Sequence, residues 1–314
     1  MRKYNYLLIG LLVLSIIGNI VFFRLWENIS NKNDEFAHVQ KRFPYLSKRI
    51  LQEFPQDILI NFLDLRQTLR SQIDPFGNGF GVYFEYLPTG TTIGINEKEE
   101  FHAASLFKLP VVMAYYHTKD RTNNQNDTEL TLKSNQLDNQ FGNLWQKGAG
   151  YKLKASDAVW LALTESDNTA AKAIVPLIDK QDFNAVYEGL DIDLQSDKEG
   201  AILTAKNYSS ILKALYFSSV LSKESSEEIL DILTKTKFPD KLAAGIPADI
   251  PVAHKIGDYN DEKGNEAFMD CGIVYVTRRP YILCMLSVSD EQTARERMQA
   301  VSKTIYDYIS DKNR

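Results

Sequence analysis

The chain has 314 residues, of which 44% are hydrophobic and 25% are charged. That length and balance are typical of a folded protein with one large domain or two ordinary ones. The formal net charge is −5 at pH 7, so the chain carries no overall positive field to attract nucleic acid. Nucleic-acid partners are therefore not expected.

The N-terminus carries an apolar stretch. Arg2 and Lys3 precede residues 4–23, which contain few polar side chains. About twenty apolar residues in a helix cross a hydrocarbon core of ~30 Å, and the stretch lacks the small-residue cleavage site of a signal peptide. It predicts an uncleaved transmembrane helix. With Arg2 and Lys3 on the cytoplasmic side, we expect a single-pass protein of the cell membrane whose catalytic domain is extracytoplasmic.

The rest of the chain divides by polarity. Residues 24–56 are polar and weakly periodic, which predicts a stalk or linker. Residues 57–314 carry regular apolar patterns and are expected to form one folded domain.

Within that domain, strand-like and helix-like patterns follow one another in blocks. Residues 81–96 indicate a β-hairpin with a turn at Pro88-Thr89-Gly90. Residues 105–235 are mainly helical, and strand patterns return in 252–288 before a final helix. This order predicts an α/β (α+β) fold, an antiparallel sheet flanked by helices with an inserted all-helical lobe. The cleft between sheet and lobe is the expected place for a site.

Two cysteines occur, Cys271 and Cys284. They lie on neighbouring strand-like runs, and a hairpin near Arg278-Arg279-Pro280 is expected to place Val274, not Cys271, opposite Cys284. An extracytoplasmic location would permit a disulfide, but this register favours two buried free thiols.

Three short patterns occur in a suggestive order. They are Ser105-Leu106-Phe107-Lys108, Ser166-Asp167-Asn168 and Lys255-Ile256-Gly257. Each pattern alone is weak evidence for a catalytic site, because serine and asparagine also cap helices and lysines are common on protein surfaces. Indeed Ser210-Ile211-Leu212-Lys213 repeats the S-x-x-K spacing inside an amphipathic helix. Order, spacing and context are what give the three patterns weight.

The first pattern suits a nucleophile and its base. Ser105 begins an apolar helix, where unpaired N–H groups and the helix dipole stabilise developing negative charge. Lys108 lies three residues on, on the same helical face. A serine hydroxyl needs a base to become nucleophilic, and a lysine buried beside other cations can be shifted toward its neutral form.

The other two patterns suit proton delivery and substrate binding. Ser166 would pass a proton to the leaving group, while Asn168 would orient a substrate amide. Lys255 would supply positive charge to Ser166 and to an anionic substrate group. Gly257 would let an extended ligand approach the strand closely.

Together the three patterns resemble those of class A β-lactamases and penicillin-binding proteins, which share S-x-x-K, S-D-N and K-T-G motifs. The resemblance runs from about Asp57 to the C-terminus and implies a β-lactamase/transpeptidase-like fold. It implies that Ser105 is acylated, that Lys108 transfers protons, and that the N–H groups of Ser105 and Asp258 form an oxyanion hole. It also implies a β-lactam or a D-Ala-D-Ala-like peptide as substrate.

Two departures from the family pattern bear on activity. Class A enzymes carry a glutamate in an E-x-x-L-N loop that activates the deacylating water, whereas the corresponding stretch here is shorter and lacks that pattern. Residues 191–195 resemble that pattern loosely, and Asp197 or Glu199 could take the place of the glutamate. Ile256 stands where the family has Thr or Ser, whose hydroxyl helps bind the substrate carboxylate. A hydrogen bond to a charged group is worth roughly 1.5–3 kcal/mol, so weaker carboxylate recognition is expected.

Other hydrolase classes fit less well. Four histidines occur, but no G-x-S-x-G elbow accompanies them. The sequence has no HExxH motif and no cluster of Cys and His at zinc-ligand spacing, so neither a metal nor another cofactor is expected. Three alternatives share the expected fold: a β-lactamase, a D-Ala-D-Ala carboxypeptidase or penicillin-binding protein, and a slowly deacylating β-lactam sensor.

Overall fold

The computed structural model describes residues 15–24, 41–42, 44–45, 61–124, 126–190, 192, 195–197, 200–260 and 266–311. The chain divides into two compact units, Met1–Phe54 and Pro55–Arg314. In the first unit, residues 15–24 are helical, while residues 4–14 of the expected anchor and most of the expected stalk lie outside the described residues. Where the structure is described, no helix is both long enough and apolar enough to span a membrane.

The described part of the second unit contains ten strands, which we number in chain order. They are β1 (Phe80–Tyr86), β2 (Thr91–Ile95), β3 (Phe101–His102), β4 (Glu129–Thr131), β5 (Lys152–Lys154), β6 (Gln195–Asp197), β7 (Gly200–Leu203), β8 (Val252–Asn260), β9 (Glu266–Val274) and β10 (Tyr281–Val288).

Eight α-helices are described in the same unit. They are α1 (Leu63–Ile73), α2 (Lys108–Thr122), α3 (Ala155–Thr164), α4 (Asn168–Ile174), α5 (Lys180–Glu188), α6 (Ala205–Phe217), α7 (Lys223–Leu233) and α8 (Glu291–Ser310). Short 3₁₀ turns lie at Asp74–Gly79, Ala104–Phe107, Ser134–Gln136, Leu144–Lys147, Val175–Leu177 and Ala243–Gly245.

Five of the strands form an antiparallel sheet in the order β2-β1-β10-β9-β8. Nearly every residue of β1, β9 and β10 is buried, which requires cover on both faces of the sheet. Helix α6 contacts β1, β9 and β10, and α8 contacts β9 and β10. The expected antiparallel sheet with flanking helices is therefore confirmed. Among the described strands, β8 lies at an edge of this sheet.

The main core lies where α1 and α8 meet the sheet. The apolar spacing of α8 buries Met298, Val301 and Ile305 completely, and these side chains join Leu65 and Leu69 of α1 in one cluster. A helix with such a stripe is stabilised mainly by this packing rather than by its own propensity.

The insertion between β3 and β8 is not all helical, which corrects the prediction from the sequence. Helices α3, α4 and α5 each contact α2, but β4 pairs with β5, and β6 pairs with β7 as a hairpin. Strand β7 also pairs with β3. These strands have two to four residues each, which is too short for a period-two pattern to show in the sequence.

The register predicted for the last hairpin was wrong. Cys271 pairs directly with Cys284, and Val274 pairs with Tyr281. The turn is centred on Thr277-Arg278, with Arg278 in the left-handed region at φ 65°, whereas the predicted register is centred on Arg279. Both cysteines are free and buried, as predicted.

Candidate active site

Ser105 lies in a tight 3₁₀ turn, Ala104–Phe107, that leads directly into α2. The sequence predicts an α-helix beginning at the serine, and the structure places the α-helical start at Lys108 instead. Ala104 has φ 43°, in a region that residues other than glycine rarely adopt and that often marks functional sites. The turn buries Leu106 completely and leaves Ser105 partly exposed.

Lys108 connects two serines. Its Nζ lies 2.6 Å from Ser105 Oγ, 2.7 Å from the Ser166 carbonyl oxygen and 3.2 Å from Ser166 Oγ. Burial lowers the pKa of Lys108 from 10.5 to about 8, although the charges of Asp167 and Asp138 oppose that shift. A share of the amine is therefore neutral near pH 7, and a neutral amine can accept the Ser105 hydroxyl proton.

Ser166 is fully buried and lies between two lysines. Its Oγ accepts a hydrogen bond from Lys255 Nζ at 2.8 Å, and Lys108 Nζ lies on its other side. The residue has φ 57°, a left-handed backbone that costs energy for any residue but glycine. The strained loop therefore aims the hydroxyl into a site that contains both amines.

Asp167 holds that loop in place. One carboxylate oxygen accepts from the Ala170 N–H at 2.8 Å and caps α4, and the other accepts from the Leu144 N–H at 2.8 Å. Gly142 makes room for this contact, because a Cβ there would lie 2.2 Å from Asp167 Oδ2. The buried carboxylate thus ties the serine loop to the 3₁₀ turn Leu144–Lys147.

Asn168 is oriented by Asp138, a residue that the sequence analysis missed. Asn168 Nδ2 donates to Asp138 Oδ1 at 3.0 Å, and Lys172 Nζ donates to Asp138 Oδ2 at 2.7 Å. Burial alone would raise the pKa of Asp138, but the hydrogen bonds from Lys172 and Asn168 outweigh it and hold the pKa below its ordinary value. No motif marks Asp138, because it lies 30 residues from Asn168 in the chain.

Lys255 lies on β8 with no exposed surface. Its Nζ donates to Ser166 Oγ at 2.8 Å and to the Ile256 carbonyl at 2.9 Å. Burial, and then the nearby charge of Lys108, hold its pKa well below the ordinary value. Gly257 follows, and a Cβ there would lie 3.1 Å from the Ala103 carbonyl oxygen and from Leu106 Cγ. Strand β8 therefore runs directly against the turn that carries Ser105.

Asp258 lies beside a second lysine that the sequence analysis also missed. Asp258 Oδ1 is 3.3 Å from Lys241 Nζ. Burial raises the pKa of Asp258, and the charge of Lys241 opposes the rise. The position preceding Lys255 forms a further buried pair, in which His254 Nδ1 lies 2.8 Å from Asp270 Oδ1. Asp270 Oδ2 accepts from the Leu242 N–H at 2.9 Å, which anchors the segment next to Lys241.

The stretch expected to hold a deacylating acid lies in and around the hairpin β6–β7. Asp191 and Glu199 lie outside the described residues, and Asp197 is the last residue of β6. The hairpin is joined to the approach to the nucleophile, because the Ala103 N–H donates to the Ala201 carbonyl at 2.7 Å.

The site therefore brings together the residues singled out in the sequence. Ser105, Lys108, Ser166 and Lys255 form one continuous set of contacts, Asn168 follows on the same loop, and Gly257 packs against the nucleophile's turn. The second S-x-x-K pattern is not part of it, since Lys213 pairs with Glu85 on β1.

A model of the "Beta-lactamase enzyme family" matches residues 64–309. Among solved structures, PBP-A is 22% identical with a TM-score of 0.69, covering 78% of this chain and 95% of that one. The TLA-3 extended-spectrum beta-lactamase is 19% identical with a TM-score of 0.72, covering 79% and 99%.

A beta-lactamase from Chitinophaga pinensis is 20% identical with a TM-score of 0.70, covering 78% of this chain and 98% of that one. No curated protein sequence matches the chain. The structural likenesses establish the shared fold, and the family match covers most of the folded unit. The chain belongs to the beta-lactamase enzyme family and is a serine hydrolase.

Proposed function

We propose that the protein acts on β-lactams or related amides through an acyl-enzyme at Ser105. The observation that carries the proposal is the position of Lys108, whose amine contacts both Ser105 Oγ and Ser166 Oγ. One group can thus take a proton from the nucleophile and return it toward the leaving group. Such a base and shuttle contribute typically 10²–10⁴-fold to a rate.

The proton path follows from these contacts. Neutral Lys108 accepts the Ser105 proton as Oγ attacks the acyl carbon, and the resulting oxyanion accepts hydrogen bonds from the N–H groups of Ser105 and Asp258. Lys108 then donates to Ser166 Oγ, whose own proton passes to the departing nitrogen. Lys255 keeps the Ser166 hydroxyl oriented from the other side. Asn168, which donates to Asp138, would bind the substrate amide.

Slow deacylation is the second candidate, and one observation favours it. Asp167 and Asp138 are the carboxylates whose charges act on Lys108, and both already accept hydrogen bonds from protein donors. These bonds hold the pKa of Asp138 below its ordinary value, which makes it a weak base for activating water. A stable adduct would fit a penicillin-binding protein, a D-Ala-D-Ala carboxypeptidase or a β-lactam sensor. A mutant of PBP-A has been solved as an acyl-enzyme complex with penicillin G.

We also propose that residues 4–23 anchor the protein in the cell membrane, with the catalytic unit extracytoplasmic. The support is the apolar sequence behind Arg2 and Lys3. Fractionation of cells that express the full chain, followed by protease treatment of intact cells, tests this. The folded unit must remain in the membrane fraction and be accessible from outside.

The acyl-enzyme proposal is tested by intact mass measured over time after mixing with a β-lactam, offered as the free acid and as its methyl ester. One adduct that disappears within seconds, with product accumulating, would identify a β-lactamase. One adduct that lasts for hours would identify the slowly deacylating alternative. Absence of both an adduct and a hydrolysed product with either compound would contradict the proposal.

A further inference from the structure

A buried tyrosine reaches the turn that carries Ser105. Tyr208 lies in α6 and has no exposed surface, and its hydroxyl donates to the Leu106 carbonyl oxygen at 3.2 Å. The two residues are 102 positions apart in the chain. Burial raises the pKa of Tyr208 well above its ordinary value, so the hydroxyl remains a proton donor at any usable pH.

The Leu106 carbonyl lacks its α-helical donor because of a proline. Phe107 and Lys108 have helical backbone angles, with φ −63° and ψ −19°, and φ −64° and ψ −30°. The carbonyl is therefore directed along α2 toward the nitrogen of residue 110, whose N–H would donate to it in a regular α-helix. Pro110 has no N–H. Leu106 is fully buried, so bulk water does not supply the donor either. The Tyr208 hydroxyl takes the place of the missing N–H.

The turn depends on contacts from the rest of the fold because its backbone is strained. Ala104 has φ 43°, and such a conformation persists only where the surrounding structure fixes it. Strand β8 packs closely against the turn, since a Cβ at Gly257 would lie 3.1 Å from Leu106 Cγ and 3.3 Å from the Leu106 nitrogen. Tyr208 holds the carbonyl of the same residue. These contacts fix the residue that follows Ser105, and with it the direction of the nucleophile.

From these contacts, and resting on the proposed acyl-enzyme function, we propose that Tyr208 is a positioning residue for the nucleophile. Its hydroxyl replaces the N–H that Pro110 lacks and so keeps Ser105 Oγ within reach of Lys108. Tyr208 has no exposed surface, so it does not touch the substrate and acts on the rate of attack rather than on binding. A misplacement of about 1 Å can slow a reaction about 10²-fold.

The test measures Ser105 acylation by a fluorescent penicillin in Tyr208→Phe, which removes only the hydroxyl. The limiting rate should fall at least about tenfold, whereas the half-saturating concentration should stay within about threefold of the wild type. Tyr281→Phe is the matched control, because Tyr281 is fully buried and its hydroxyl has no hydrogen-bond partner among the described residues. Its limiting rate should match that of the wild type.

Pro110→Ala gives a readout that a merely structural role would not produce. The substitution restores an N–H that can donate to the Leu106 carbonyl. The loss caused by Tyr208→Phe should therefore shrink to less than about threefold when the double variant is compared with Pro110→Ala. Comparison within one background cancels any damage that Pro110→Ala does by itself.

The outcomes separate this inference from the proposed function. A limiting rate for Tyr208→Phe within about threefold of the wild type would overturn the inference while acylation at Ser105 still stands. An equally large loss in the Pro110→Ala background would overturn it as well, since the hydroxyl would then not replace the N–H. If Tyr208→Phe alone does not fold, the double variant must fold and acylate within about threefold of Pro110→Ala, or the inference fails. If the wild type itself is not acylated, the proposed function fails and this inference fails with it.

Discussion

Lys108 is the residue on which the proposed chemistry most depends, and its replacement by arginine gives a quantitative test. Burial lowers the pKa of Lys108 from 10.5 to about 8. At pH 7 this makes about a tenth of the amine neutral and raises the neutral fraction about 300-fold over an ordinary lysine. Arginine keeps the positive charge, but its pKa above 12 leaves almost no base at any usable pH.

The wild-type acylation rate should therefore rise about tenfold per pH unit between roughly pH 5.5 and 7.5 and level off above about pH 8. The direction follows because the neutral form is the base and a higher pH increases it. Lys108→Arg should lose at least about 100-fold at pH 7. Stopped-flow fluorescence or rapid-quench mass measurement of the adduct, with the β-lactam methyl ester, gives both the profile and the loss.

Lys213→Arg is the matched control, because Lys213 belongs to the second S-x-x-K pattern and forms an ion pair with Glu85 on β1. Its acylation rate should match that of the wild type. A Lys108→Arg rate within threefold of wild type, or a wild-type profile that stays flat from pH 5.5 to 8, would refute the assignment of Lys108 as base.

Two further variants test the frame around the site. Gly257→Ala adds a Cβ 3.1 Å from the Ala103 carbonyl oxygen. Strand β8 must then shift by a few tenths of an ångström, and acylation of Ser105 should slow about tenfold or more. Gly79→Ala is the control, because its Cβ lies 3.4 Å from its nearest neighbour, and it should not slow acylation. Asp167→Ala removes a helix cap and leaves the buried Leu144 N–H unpaired, which should lower the free energy of unfolding in urea by about 2–4 kcal/mol. Asp290→Ala removes only the exposed cap of α8 and should cost about 1 kcal/mol; equal losses for both aspartates would contradict the bracing role.

Local patterns anticipated much of the fold. The hairpin β1–β2 lies within a residue of the predicted span 81–96, and strands β8 to β10 lie within the predicted span 252–288. Each is long enough for its pattern to be read and is flanked by turn residues or a cap. The short strands of the insertion and the register of β9 with β10 could not be read in this way, because tertiary pairing and one left-handed residue, Arg278, decide them.

The residues of the site also divide into those that local patterns predict and those that only the fold brings together. Ser105, Lys108, Ser166 and Lys255 belong to motifs, and the structure places them in contact. Asp138 and Lys241 belong to no motif, because their roles arise from contacts with Asn168 and Asp258 that the fold creates. A lone aspartate or lysine in a loop carries no signal of such a partner.

The central claim is that Ser105 is the residue that becomes acylated, and peptide mapping of the adduct tests it most directly. The protein is exposed to the β-lactam as free acid and as methyl ester, digested, and sequenced by tandem mass spectrometry beside Ser105→Ala and Ser210→Ala. We predict that the adduct lies on Ser105, is lost in Ser105→Ala and is retained in Ser210→Ala. An adduct on another residue, or one that persists in Ser105→Ala, would contradict the account.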